Sequence, residues 1–434
     1  MTKTYDAIII GSGIMGCAIA FELAKRGYKT LNVDKLPTAG YGSTSNSCAI
    51  IRVHYSTWDG VAIAYENVFY WEDWANYIGV EDEAGMAKFI QCGSVVLNQT
   101  PTSHEKWTKL FDELEIPYEM WTLDQLREKY PIYDLHTFYP PKAIDDETFW
   151  DETEEMIVGA MVTPTMGYIN DPQLASHNLM RAAEAHGGTF MFETEVGDVR
   201  QAKGRVAGVT LKNGEMIDAP IVVNAAGPHS YIINRMAGVE EGMNIKTKAL
   251  RHEVHHVPSP PSFDFEKNGT EMSDPAGIYY RPEAGRSILV GSEDPVCDPR
   301  EWVDDPDNYN QTLTEDQWKR QVYRLARRIP DLEIPNQPRG VVDLYDVADD
   351  WIPIYDKSDL SGFYMAIGTS GNQFKNAGGV GHMMAELIAA CEEGHDHDSE
   401  PLTVKMPYTG LELNVGFYSR LREINENSSF SVLG

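Results

Sequence analysis

The residues with the plainest chemical purpose stand near the start of the chain, in Gly11-Ser12-Gly13-Ile14-Met15-Gly16. A G-x-G-x-x-G run set between a strand and a helix cradles the pyrophosphate of a dinucleotide. Gly11 permits the tight turn, Gly13 lets the pyrophosphate approach the backbone beside Ile14 and Met15, and Gly16 lets helix and strand pack closely. The helix start adds unpaired N–H groups and the positive end of its dipole. Asp34 follows Gly11 by 23 residues, with Lys35 next to it. A carboxylate there accepts hydrogen bonds from ribose hydroxyls and repels a 2′-phosphate, which disfavours NADP. The flanks agree with this reading. Ala7–Ile10 is a short apolar run of the kind found in a strand buried on both faces, and Lys29–Val33 reads as the second strand of a βαβ unit.

Two later stretches bear on which dinucleotide is bound. Ile221-Val222-Val223-Asn224-Ala225-Ala226-Gly227 is an apolar strand ending in small residues, as an ordinary packed strand end or as a close backbone approach to a ligand. The stretch 368–381, which contains Gly371-Asn372-Gln373-Phe374-Lys375, has five glycines in fourteen residues directly before a helix. A helix start there can face the pyrimidine ring of a flavin and stabilise the negative charge of its reduced form, which favours FAD over NAD. Histidines are less specific. His252, His255 and His256 fall on an expected strand, with 252 and 256 on one face and 255 on the other. They read more readily as sheet residues than as a base. His395-Asp396-His397-Asp398 has the composition of a metal site, but its acidic loop reads as solvent-exposed, and no metal is expected. The aromatics at 65–74 read as core.

Together with Gly42-Ser43-Thr44-Ser45-Asn46-Ser47-Cys48-Ala49-Ile50-Ile51-Arg52, these stretches resemble the D-amino-acid oxidase/glycine oxidase superfamily of FAD enzymes, from Tyr5 to about Ala390. They are most similar to its sarcosine oxidase branch. The resemblance implies that Ser43, Thr44 and Ser45 lie against FAD, and that Arg52 and Lys375 hold a substrate carboxylate. His54 and Tyr55 are expected beside them in the pocket. A guanidinium binds a carboxylate bidentately and an ammonium adds a second charge, so the chemistry suits the assignment. Two departures matter. Monomeric oxidases of the branch tether FAD through a cysteine where this chain has Asp343, and related dehydrogenases do so through a histidine near Ser45 or Asn46; the expectation here is non-covalent FAD. The lysine that promotes reaction with oxygen aligns with Leu289, which favours a dehydrogenase with another electron acceptor.

The elements that must position these groups imply an α/β fold: a Rossmann-type βαβ domain with an interleaved α+β substrate domain on an antiparallel sheet. The expected FAD domain comprises 1–85, 155–228 and 338–400, the substrate domain 86–154 and 229–337, and residues 401–434 a C-terminal tail. With 434 residues, 42% of them hydrophobic, the chain can bury a large core. A net charge of −30 argues against nucleic-acid partners. Five scattered cysteines without a CxxC pair suit a reducing compartment. The first apolar run is only four residues, too short for a signal peptide or a membrane span, so a soluble cytoplasmic protein without membrane insertion is expected. The expected reaction is oxidation of a secondary or N-methylated, sarcosine-like amino acid, with oxygen or an electron-transfer partner as acceptor. A D-amino-acid or 2-hydroxy-acid dehydrogenase on the same fold is the alternative, as is the flavin subunit of a multi-component complex; homo- and hetero-oligomers both stay open. Acid denaturation should release the flavin into the supernatant, and yellow colour left on the protein pellet would contradict non-covalent binding.

Overall fold

Ala7–Ile10 lies inside a six-stranded sheet, and all four of its side chains are buried. Alternation along the strand divides them between two cores: Ala7 and Ile9 face one, Ile8 and Ile10 the other. The sheet order is Thr189–Met191, Thr30–Val33, Ala7–Ile10, Ile221–Asn224, Phe363–Ile367, Ile354–Lys357. Every neighbouring pair is parallel except the last. Helices Ile14–Lys25, Pro172–Ala185 and Ala377–Glu392 bury their apolar residues in the first core. The computed structural model describes residues 3–433. Met1, Thr2 and Gly434, at the ends of the expected segments 1–85 and 401–434, lie outside the described residues.

A second, nine-stranded sheet carries the other wall of the molecule. Its longest strand, Thr247–Pro258, pairs antiparallel with Gly340–Ala348 along nine residues and with Ser287–Ser292 further on. Glu271–Asp274, Ile278–Glu283, Ser94–Asn98 and Gly159–Thr163 continue it. The chain crosses between the two large sheets inside the segments 155–228 and 338–400, because Gly159–Thr163 and Gly340–Ala348 pair with the nine-stranded sheet. The strands Thr189–Met191 and Val196–Ala202 lie on different sheets, and the chain between them passes through Glu193 at φ +50°.

Residues 401–434 do more than trail. Thr403–Lys405 pairs with Glu412–Asn414, and Arg420 reaches back to Asp356 and Asp398. The acidic loop at 395–398 is exposed at Asp396 and Asp398 as expected, but His397 is buried and its Nδ1 accepts the Leu402 N–H at 3.0 Å, while Asp398 is drawn to about pKa 2 chiefly by Arg420 and Lys357 against its partial desolvation. Among the described residues no helix is long and apolar enough to cross a membrane.

The strand Glu271–Asp274 is pinned from behind. Helix Glu315–Arg328 ends in Arg328, whose guanidinium grips Asp274 with two bonds, Nε to Oδ2 at 2.7 Å and Nη2 to Oδ1 at 3.2 Å. Both side chains are fully buried. Arg328→Ala would leave the Asp274 carboxylate buried and unpaired, and should cost roughly 3–5 kcal/mol in denaturant unfolding.

Candidate active site

The turn after Ala7–Ile10 brings the chain back against the strand end Ile221–Asn224. Gly11 takes φ +110°, and a Cβ there would lie 2.3 Å from the Ala225 carbonyl oxygen. A Cβ on Gly16 would lie 2.2 Å from Gly11 O, so only glycine lets helix Ile14–Lys25 start this close to the strand. That helix has no side-chain cap at Gly13, and the Ile14 N–H meets only the Thr44 hydroxyl at 3.2 Å. Asp34 stands at the end of the next strand with Oδ2 accepting Ser12 N at 2.6 Å and Oδ1 accepting Leu36 N at 2.9 Å. Burial raises its pKa against the pull of those two N–H groups. Each oxygen keeps a lone pair for a further donor.

From Gly13, Ile14 and Met15 a cavity of about 1330 Å³, counted to its open mouth, runs between the two large sheets. Ser43, Thr44 and Gly227 line it, as do Gly371, Asn372, Gln373 and Phe374. Asp346 holds the second glycine loop in place by accepting Gly368 N at 2.7 Å. Asp343 lies on the wall and ties the 42–52 segment to its strand, accepting Ser43 Oγ at 2.9 Å and Asn46 Nδ2 at 2.7 Å.

Several expected residues sit elsewhere. Ser45 turns its hydroxyl into its own loop, onto the Tyr41 and Gly42 carbonyls. Ala226 is off the wall, where Ala225 and Pro228 stand instead. Lys35 points across to Asp307 and lies 2.8 Å from His229 Nε2, drawn by the carboxylate. Leu289 does not line the cavity; Tyr279 and Glu293 do. Of the three strand histidines only His252 reaches it, stacked on Tyr345 at 4.2 Å, whereas His255 is bound to Gln321 and Glu253 in the interior.

Arg52, His54 and Lys375 meet at the deep end. Lys375 Nζ donates to Tyr55 Oη at 2.9 Å and to Asn372 O at 2.8 Å, while Trp71 fixes its backbone by donating to Lys375 O at 2.7 Å. Tyr55 thus lies behind the lysine rather than on the cavity wall. Arg52 donates Nη1 to His54 O at 2.6 Å and Nη2 to Val432 O, so the 401–434 segment closes this end of the cavity. Arg52 is 6% exposed and Lys375 4%. Seven Arg and Lys side chains are buried among the described residues. Arg251, Arg281, Arg324, Arg328 and Arg420 each have a carboxylate at ion-pair distance; Arg52 and Lys375 have none. Burial and the Arg52 charge push the Lys375 pKa well below its usual value. Burial and both cations do the same to His54, which is neutral and has neither ring nitrogen hydrogen-bonded.

Two groups escaped sequence reading. Glu271 and Glu293 line the cavity facing the cations, and burial raises them to about pKa 7 and about 8. The only local sign is an acidic residue in or just past a strand, Glu271 opening Glu271–Asp274 and Glu293 following Ser287–Ser292, and Glu253 and Glu283 share it without lining the cavity.

A glycine-bounded cradle at an uncapped helix start, an acid at the second strand end and a long cavity beyond define a dinucleotide-binding redox protein. The unpartnered polar atoms of His54 and Asn372 within the cavity are consistent with a ligand there. The chain belongs to the family described as "FAD dependent oxidoreductase" (DAO), whose sequence profile matches residues 6–387. It is 25% identical over 424 residues to glycine oxidase of Geobacillus kaustophilus, covering 95% of this chain and all of that protein. With sarcosine oxidase subunit beta of Rhodobacter capsulatus it shares 25% over 395 residues, covering 89% and 85%. The crystal structure of L-proline dehydrogenase from P. horikoshii superposes with a TM-score of 0.75 at 22% identity, covering 97% of this chain and 98% of that one. The protein is an FAD-dependent oxidoreductase.

Because Glu271 and Glu293 hold protons more tightly in the folded chain than an ordinary glutamate, which titrates at about 4.5, the folded state binds more protons than the unfolded one between about pH 4.5 and 8. Their contribution to stability therefore falls as pH rises through that window. Glu271→Gln and Glu293→Gln should each flatten the fall, read as denaturant midpoints at about pH 5.5 and about pH 8.5.

Proposed function

We propose that the protein oxidises a secondary or N-methylated amino acid, with non-covalently held FAD as the immediate acceptor. The observation that carries this reading is a pair of buried cations lining the cavity, Arg52 and Lys375, that have no carboxylate at ion-pair distance among the described residues. Unpaired buried charges are costly, so a site that keeps two of them is built to receive an anion. A substrate carboxylate supplies it, accepting from the guanidinium N–H groups not spent on the His54 and Val432 carbonyls and from the third Lys375 proton. FAD, held at the first glycine turn and the second glycine loop, would serve as the hydride acceptor for the carbon next to the substrate nitrogen, and the resulting imine would hydrolyse.

The protein's own part is positional. Tyr55 and Asn372 aim Lys375, and His54, kept neutral by the cations, adds an uncharged polar wall. Fixing the carboxylate fixes the direction of the adjacent C–H bond, which is much of what an enzyme contributes to such a transfer. The relatives named for glycine and sarcosine support the amino-acid class. The absence of a lysine from Ser287–Ser292 supports an acceptor other than oxygen.

Arg52→Ala and Lys375→Ala should each weaken substrate binding by roughly 1.5–3 kcal/mol while leaving flavin bound; unchanged kinetics in both variants would remove the clamp. Anaerobic flavin spectra with sarcosine, dimethylglycine, N-methylproline, D-amino acids and 2-hydroxy acids added separately test the substrate class. Bleaching by the N-methylated amines is expected, and bleaching only by D-amino or hydroxy acids would overturn it. Slow recovery on admitting air is expected of a dehydrogenase.

A further inference from the structure

Arg52 and Lys375 account for one end of the cavity. The facing wall carries a matching pair of opposite sign. Glu271, on the strand Glu271–Asp274, and Glu293, just past the strand Ser287–Ser292, both line the same cavity. Neither has a cation at ion-pair distance among the described residues. Each is held by one hydroxyl only: Ser94 Oγ donates to Glu271 Oε2, and Ser273 Oγ donates to Glu293 Oε1 at 2.6 Å. The other carboxylate oxygen of each has no hydrogen-bond partner among the described residues.

Structural carboxylates in this protein look different. Glu253 accepts from Arg251, His255 and both the N–H and hydroxyl of Thr314. Asp274 is gripped by Arg328. Glu271 is buried like those groups and Glu293 is half-buried, yet each is left half-satisfied, and the free oxygens belong to residues on the cavity wall. Two cations and two acids line the same cavity with no ion pair between them among the described residues, which makes a site complementary to a molecule bearing both charges.

We propose that Glu271 and Glu293 are the end of the cavity that takes the substrate nitrogen, binding it as an ammonium and then accepting its N–H proton. The inference rests on the carboxylate-clamp reading of Arg52 and Lys375. In the proton step an N–H bond breaks, its electron pair stays on nitrogen, and an O–H bond forms on a glutamate. No oxidant is used in this step. The neutral amine that results is the form from which a hydride can leave the neighbouring carbon, because the nitrogen lone pair is then free to stabilise the developing positive charge.

The electrostatic setting suits a proton acceptor working near neutrality. Arg52 and Lys375 pull Glu271 down, and Arg52 pulls Glu293 down, against burial. Asp274 and Glu271 push Glu293 up, while Lys106 lies near enough to feel the Glu293 charge. Cys48 and Cys92 are the other titratable groups beside Glu271, and burial keeps both thiols protonated. A 2-hydroxy acid offers no cation to this wall, so the pair also selects amino acids over hydroxy acids.

The test uses the FAD-loaded protein and two ligands of nearly equal shape that have no hydrogen to lose at the α-carbon: 2-aminoisobutyrate, which carries an ammonium, and trimethylacetate, which carries a methyl group in its place. Binding is read from the perturbation of the flavin absorbance. At about pH 9, where both glutamates are ionised, 2-aminoisobutyrate should bind at least ~10-fold more tightly than trimethylacetate, and the ratio should collapse towards about pH 6 as the acids protonate. Glu271→Gln and Glu293→Gln, which keep the shape and the serine bonds, should shrink the ratio at every pH. A ratio that ignores both pH and these variants overturns the proposal. Arg52→Ala separates the two readings: if it weakens trimethylacetate while the ratio stays flat, the clamp stands and the acid pair falls. Trimethylacetate binding indifferent to Arg52→Ala and Lys375→Ala overturns both.

Discussion

Charge kept out of water is the constraint on which this site depends. Four ionisable side chains, Arg52, Lys375, Glu271 and Glu293, line a cavity where hydration is poor, and none of them is given the partner that buried ions elsewhere in the chain receive. The ligand-free protein therefore relieves the burden by shifting protons. Lys375 and His54 are pushed towards neutrality, and the two glutamates hold protons up to about pKa 7 and 8. Such an arrangement is stable only because rigid elements hold the groups apart, and it becomes favourable once a ligand of complementary charge enters.

The two large sheets supply that rigidity. The parallel sheet ends at Gly11 and Ala225, where glycine alone allows helix and strand to approach, and it offers an uncapped helix start to a pyrophosphate. The nine-stranded sheet brings in Glu271, with Asp274 locked behind it by Arg328. Asp343 joins the two by holding Ser43 and Asn46. Cofactor and substrate subsites are thus parts of one cavity wall.

The 401–434 segment adds a constraint of its own. Arg420 binds Asp356 and Asp398 below the parallel sheet, and Arg422 binds Asp350. Val432 then reaches Arg52 through its carbonyl. The Arg52 guanidinium on the cavity wall is therefore oriented partly by residues far along the chain. Within the stretch 395–398 the segment covers His397, while Asp396 and Asp398 stay exposed.

What the sequence determined by itself was local in origin. The glycine spacing, the four-residue apolar strand and the acid at Asp34 are a contiguous motif whose steric logic needs only neighbouring residues, and the structure follows it. Arg52 and Lys375 were legible because each closes a recognisable stretch. The tertiary structure alone decided which residues share a wall. It placed Ser45, Lys35 and Tyr55 off the cavity through competing bonds to Gly42, Asp307 and Asn372, and set Ala225 and Pro228 on the wall where Ala226 was expected. It also brought Glu271 and Glu293 into the cavity from strands of the other sheet. A strand tells which residues alternate, but which face meets a cavity depends on the sheet across from it, and a carboxylate acquires a pKa near neutrality only when distant parts of the chain exclude its water.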